Sequence, residues 1–176
     1  MKKHLPKMII ALVFCGLAAA TAFAAEPAKA VTAQEAFALL KGLAGEWQGK
    51  AMDKEKGPAI SVTYRVTANG SVVMETLFPG TDHEMITMYH LDHGRLVLTH
   101  YCAMGNQPRM ELDPASNAGR LVFSFAGGTN LDAGQDMHMH QGRIGLVAAD
   151  RLENEWDTFS GGEKIDTKKF FLERKK

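Results

Sequence analysis

The sequence predicts an all-β fold, an antiparallel up-and-down β-barrel of about ten short strands with one short N-terminal helix. Three observations lead there. Apolar and polar residues alternate with the period of a half-buried strand, as Ile60, Val62, Tyr64 and Val66 do against Ser61, Thr63, Arg65 and Thr67. Turn pairs containing glycine (Asn69-Gly70, His93-Gly94, Gly105-Asn106 and Gly161-Gly162) separate consecutive segments at hairpin spacing. A single stretch carries helical periodicity. Closing a sheet of many short strands into a barrel removes its exposed edges.

The elements follow in order. Lys2, Lys3 and Lys7 precede an apolar run over 8–20 and then Ala22-Phe23-Ala24. These are the charged region, apolar region and A-x-A site of a secretory signal, so residues 1–24 are expected to be a signal peptide cut after Ala24. The run falls short of the ~20 residues that a membrane span needs, and no later segment reaches that length. A lipoprotein signal centred on Cys15 fits poorly, because Phe14 is bulky and apolar sequence continues beyond Cys15. The expected location is periplasmic or secreted. Residues 25–31 form a flexible leader rich in Ala, Pro and Lys, and 32–176 form one domain. Thr32 and Glu35 have the form of a capping box. Behind them Ala36, Phe37, Leu39, Leu40 and Leu43 recur at helical spacing, and Gly42 or Gly45 can end the helix. Strands are predicted over 46–52, 60–67, 71–78, 83–92, 95–104, 107–112, 120–126, 137–149, 152–160 and 163–174.

Composition excludes several classes. At 45% hydrophobic and 23% charged, the 176 residues can bury a core and do not have a disordered composition. Twenty basic residues balance twenty acidic ones, so no basic surplus points to a nucleic-acid partner. Removing the signal leaves 17 basic against 20 acidic residues and a lone cysteine, Cys102. With no partner thiol in the chain, the fold has no internal disulfide and relies on its core.

Gly45-Glu46-Trp47 stands at the start of the first strand, just after the helix, and Arg174 stands near the end of the last. In this the chain resembles the calycins, the superfamily of lipocalins, fatty-acid-binding proteins and nitrobindin-like haem barrels. The resemblance implies that Trp47 closes one end of the barrel and that Arg174 packs across it as a cation–π pair. Val73-Met74-Glu75-Thr76-Leu77-Phe78-Pro79-Gly80, His100-Tyr101-Cys102 and Gly105-Asn106-Gln107-Pro108-Arg109-Met110 resemble secreted bacterial lipocalin-like proteins of unknown function. That likeness implies a fold and carries over no catalytic residue.

A small barrel either fills its interior with side chains or holds one small ligand, so the inward polar groups are the candidates. Across Asn69-Gly70, Tyr64 pairs with Glu75, Val66 with Val73 and Val62 with Leu77. Glu75 then lies among apolar neighbours and must be hydrogen-bonded or neutral. A bond to Tyr64 satisfies it; otherwise it serves as a ligand anchor or proton acceptor. Alternation from Ile144 and Leu146, over an unbroken strand, puts His138 and His140 on the same inner face. Such a pair can share a metal, with Asp136, Met137 and Met139 widening the choice to copper, or supply an axial haem ligand, though no third ligand is evident. Hydrogen bonding inside the barrel is the simpler role.

In the middle hairpins Thr87 faces His100 and Met85 faces Cys102, and across Gly105-Asn106 Cys102 faces Arg109 and His100 faces Glu111. His100, Glu111, Cys102 and Arg109 then share a face, the parts of a low-pKa thiol site. Ile86, Met88, Val97, Thr99, Tyr101, Met110 and Leu112 share the other, more apolar face, which is therefore expected to point inward. Trp156 shares a face with Leu152, Asn154 and Thr158.

The leading functional expectation is a non-enzymatic exported barrel binding a small lipophilic molecule. Tyr64, Met88, Tyr101, Phe123, Phe125 and Trp156 would line its pocket, with Glu75, His138 and His140 orienting the ligand. No cofactor and no catalytic residue belong to that reading. Three alternatives stay open: haem or copper binding through His138 and His140, an enzyme with Glu75 and a His as acid–base pair, and a filled barrel without ligand. The chain has no nucleophile motif and no cofactor fingerprint.

Overall fold

The computed structural model describes residues 28–176. The expected signal peptide, with Cys15, and the first part of the leader lie outside the described residues. One helix, α1 (Ala33–Gly42), precedes ten strands: β1 (Gly45–Ala51), β2 (Ala59–Thr67), β3 (Val72–Leu77), β4 (Met85–Asp92), β5 (Arg95–Tyr101), β6 (Gln107–Leu112), β7 (Arg120–Thr129), β8 (His138–Ala148), β9 (Arg151–Ser160) and β10 (Glu163–Arg174). Each strand pairs antiparallel with its neighbours in sequence. β1 pairs with β10 from Trp47 opposite Arg174 to Ala51 opposite Phe170, and so closes the barrel. Closure satisfies every strand's backbone without an exposed edge.

Local chemistry sets the helix and the tight turns. Thr32 Oγ1 accepts from the Glu35 N–H at 3.2 Å while the Glu35 carboxylate accepts from the Thr32 N–H at 2.8 Å, a closed capping box. Ala36, Phe37 and Leu40 form the buried face of α1. That face joins the core at the end of the barrel where the β2–β3 and β4–β5 turns lie. Asn69 (φ 50°) and Gly70 (φ 82°) adopt left-handed conformations, and the Ser71 N–H returns to the Ala68 carbonyl at 3.1 Å. This matches a type I′ turn and sets Tyr64 opposite Glu75.

Trp47 and Arg174 lock the helix to the barrel. The Trp47 indole N–H donates to the Leu43 carbonyl at 2.8 Å. The Arg174 guanidinium lies 4.3 Å over the indole and donates to the Gly42 and Ala44 carbonyls at 2.9 and 2.7 Å, satisfying carbonyls that the end of α1 leaves free. Arg174→Ala is expected to cost ~1–3 kcal/mol in urea unfolding. Arg174→Lys should recover less than half, because an ammonium cannot reproduce the planar two-pronged fork. Full recovery by Lys would reduce the contact to charge alone.

Two expected registers are corrected. The chain crosses from β5 to β6 through a wider loop than a turn at Gly105-Asn106 allows, with Cys102 N–H bonded to the Asn106 carbonyl at 3.1 Å. Arg109 therefore sits opposite Thr99 and Glu111 opposite Val97, three residues from the expected pairing, and an odd shift reverses which face of β4 and β5 goes with the inward Met110 of β6. Thr87, Tyr89, Leu98 and His100 point inward and are buried, whereas Tyr101 is 50% exposed. Met88, opposite Met74 and Thr99, shares the outer face with Tyr101. Met88 and Tyr101 thus do not line the interior. Met110 and Leu112 point inward as expected, but in β4 and β5 counting apolar residues picks the wrong face because Thr87 and His100 hydrogen-bond each other, and a satisfied polar pair can be buried.

In β8 a bulge between Met139 and Gln141 breaks the alternation counted back from Ile144. Met139 pairs with the inward Thr158, and His138 pairs with Phe159, on the opposite face. His138 and His140 therefore leave the inner wall. Phe125, opposite the buried Met110 beside a register shift in β7, stacks on His140 and is not part of the cavity wall.

Candidate functional site

The interior has two unlike halves. Towards α1 it is filled around a buried carboxyl. Tyr64 Oη donates to Glu75 Oε1 at 2.6 Å and Tyr89 Oη donates to Oε2 at 2.7 Å. Asn154 Nδ2 in turn donates to Tyr64 Oη at 2.9 Å. Glu75, Thr87 and Tyr89 have no accessible surface, while Tyr64 and Asn154 have almost none. Burial raises the Glu75 pKa, and the hydroxyls of Tyr64, Tyr89 and Thr87 oppose that shift. Burial and the neighbouring Glu75 carboxylate push both tyrosines well above the ordinary phenol value. Phe123 packs beside Tyr89, with ring centroids 5.5 Å apart. Glu75 is thus enclosed by its own partners, which leaves no room for a substrate against it.

Thr87 carries the network to the other half. Its hydroxyl lies 2.9 Å from His100 Nδ1, and the His100 ring packs on Trp156 at 4.9 Å. His100 Nε2 is buried and has no partner. His100 is one of the residues that line a cavity of about 240 Å³ at the barrel end away from α1. Ala51, Leu77, Phe78, Met85, Met139, Trp156 and Phe170 give it an apolar wall, with Met52 and Lys168 beside them. Lys168 is paired with Asp166 at 2.5 Å. Two larger depressions, of about 510 and 380 Å³, involve the outer wall, one among Gln48, Lys50, Arg151 and Glu173, the other among His90, Arg95, Arg109 and Glu111. Their charged rims face water.

Desolvation pushes the His100 pKa down to about 4, so the ring is neutral at pH 7. Because the unfolded imidazole protonates near 6.5, stability from this site is complete above that pH and falls as the pH drops towards 4. In urea unfolding, the stability difference between wild type and His100→Asn should shrink by about 3 kcal/mol from pH 7 to pH 4. A difference that does not change with pH would place His100 in contact with water.

The second imidazole group is a satellite of the core. His138 is fully buried, with Nδ1 2.9 Å from the Asp136 carbonyl and Nε2 2.9 Å from His140 Nδ1. His140 stacks on Phe125 at 4.6 Å and on Phe159 at 4.0 Å. Burial, then the neighbouring His138, holds its pKa below the ordinary imidazole value, against Asp157. These bonds occupy both nitrogens of His138. Among the described residues no three His, Cys, Asp or Glu side chains are grouped to hold a metal ion. His140 Nδ1 is engaged by His138, and His140 is not among the residues that line the cavity. Cys102 is buried, its thiol pKa raised by desolvation, and Arg109 pairs with Thr99 instead, so the low-pKa thiol arrangement does not form.

Sequence reasoning places Tyr64, Glu75, Phe123 and Trp156 in the interior, where the structure has them. It misses His100, Met139, Phe170 and Lys168. The Thr87–His100 pairing across His93-Gly94 was the available signal for His100. Met139 depends on the bulge.

No protein-family model matches the chain, and no curated protein matches it. Among solved structures the fold is similar to that of a protein of unknown function from the DUF3598 family of Nostoc punctiforme. The TM-score is 0.53 at 14% sequence identity, over 88% of this chain and 53% of that one. The chain thus spans about half the length of that protein, and the likeness is one of fold. A closed ten-strand antiparallel barrel is consistent with a calycin-like architecture.

Proposed function

We propose that the protein is a non-enzymatic, exported barrel that binds one small, mainly apolar molecule in the cavity at the open end. One observation carries this reading: an apolar cavity inside a closed barrel, walled by Leu77, Phe78, Met85, Met139, Trp156 and Phe170. Ligand sites are concave and mostly apolar with few polar groups, and this cavity has that character. Its volume of about 240 Å³ lies below the ~300–1,000 Å³ of pockets for drug-sized ligands. The ligand is therefore nearer to one ring with a short substituent than to a long-chain fatty acid or a retinoid.

Calorimetric titration of the purified protein with a panel of one-ring apolar molecules tests the reading. Saturable binding with one site per chain is expected. Met139→Trp, which places a larger side chain in the cavity wall, should weaken it at least ~10-fold while the far-UV circular dichroism spectrum stays unchanged. The absence of saturable binding across the panel would overturn the proposal.

A further inference from the structure

The geometry points to a ligand class: we infer that the open-end cavity takes small, uncharged, hydroxyl-bearing apolar molecules, with the hydroxyl held by His100 Nε2. This rests on the binding reading above and adds the polar group that the ligand must carry.

His100 lines a wall that is otherwise almost wholly hydrocarbon, and its Nε2 is buried with no hydrogen-bond partner. Leaving such an atom unpaired costs ~1–3 kcal/mol, which a ligand restores by pairing with it. Which partner it wants follows from the protons behind it. The Thr87 hydroxyl lies 2.9 Å from His100 Nδ1, and the ring's tautomer decides which of the two donates. Where Thr87 accepts from Nδ1–H, Nε2 presents a lone pair. In the second state Thr87 donates to Nδ1, and Nε2 carries the hydrogen. A ketone or ether suits only the second state. A hydroxyl, both donor and acceptor, suits either.

Charge is excluded on separate grounds. A carboxylate ligand would need a free cation, and His100 is neutral at pH 7 while Lys168 at the rim is already paired with Asp166. A charged group carried into an apolar cavity without a partner is strongly disfavoured.

Three probes of nearly equal shape separate the cases: benzyl alcohol, ethylbenzene and benzoate, titrated calorimetrically into the whole protein at pH 7. In parallel, the imidazole nitrogens are followed by ¹⁵N NMR. Benzyl alcohol is expected to bind at least ~10-fold more tightly than ethylbenzene and to shift the His100 Nε2 resonance, with benzoate weakest. The NMR arm uses wild-type protein and needs no substitution at His100. Ethylbenzene binding as tightly as benzyl alcohol, with Nε2 unmoved, would overturn this inference and leave the cavity's binding role standing. Benzoate as the tightest ligand would also overturn it, moving recognition to Lys168. If none of the three binds, the binding role itself fails.

Discussion

Gly49→Ala is expected to destabilise the barrel by ~4 kcal/mol or more, through the seam that closes it. Gly49 lies in β1, opposite Ile60 of β2 on one side and Leu172 of β10 on the other. A Cβ at this position would fall 1.8 Å from the Phe171 carbonyl oxygen and 2.8 Å from its carbon. Both are backbone atoms of β10, so no rotamer change relieves the overlap. The two strands must separate, and with them the β1–β10 ladder that removes the sheet's edges. Against a total stability of ~5–15 kcal/mol, such a loss takes the variant close to unfolding. Gly42→Ala is the control. It meets nothing within 4 Å at the end of α1, and Ala is the better helix former, so its stability should be unchanged or slightly raised. Thermal unfolding followed by circular dichroism separates the two variants. A Gly49→Ala midpoint within a few degrees of wild type would show that β1 and β10 have slack.

How far the sequence reveals this molecule depends on how far apart the deciding residues lie. Type I′ turns are local, and from Asn69-Gly70 and His93-Gly94 the pairings of Tyr64 with Glu75 and of Thr87 with His100 follow by counting. Counting fails where the backbone departs from two-residue geometry. The loop after Tyr101 moves Arg109 and Glu111 by three positions, and the bulge at His140 exchanges Met139 with His138 on the inner wall. Neither leaves a strong composition signal, because Gly105-Asn106 resembles a tight turn and His-Met-His-Gln reads as regular alternation. The cavity is harder still to foresee. It exists because Leu77 from β3, Trp156 from β9 and Phe170 from β10 meet without filling the space between them, a property of closure around the whole barrel.

Glu75→Ala is the second large effect, with an expected loss of ~3–5 kcal/mol. The substitution removes the acceptor of two buried phenols, Tyr64 at 2.6 Å and Tyr89 at 2.7 Å, and leaves a void among side chains with almost no accessible surface. Both terms add, because the enclosing strands of a closed barrel cannot collapse onto the gap. Glu75→Gln keeps the shape and one carbonyl acceptor and should cost ~1–2 kcal/mol. Its pH dependence has a definite sign. The folded pKa of Glu75 is raised above 4.5, so its contribution is complete below that value and declines as the pH rises through the folded value. Glutamine does not titrate, so the gap between wild type and Glu75→Gln should narrow from pH 4 to pH 8. A triple variant, Glu75→Leu with Tyr64→Phe and Tyr89→Phe, removes the polar atoms together and should recover most of what Glu75→Ala loses, since a network deleted whole leaves few orphans. Urea unfolding of these variants provides the test. Additive single losses, or a Glu75→Ala cost below ~1 kcal/mol, would show that water reaches the carboxyl and that the half of the barrel towards α1 is hydrated rather than packed.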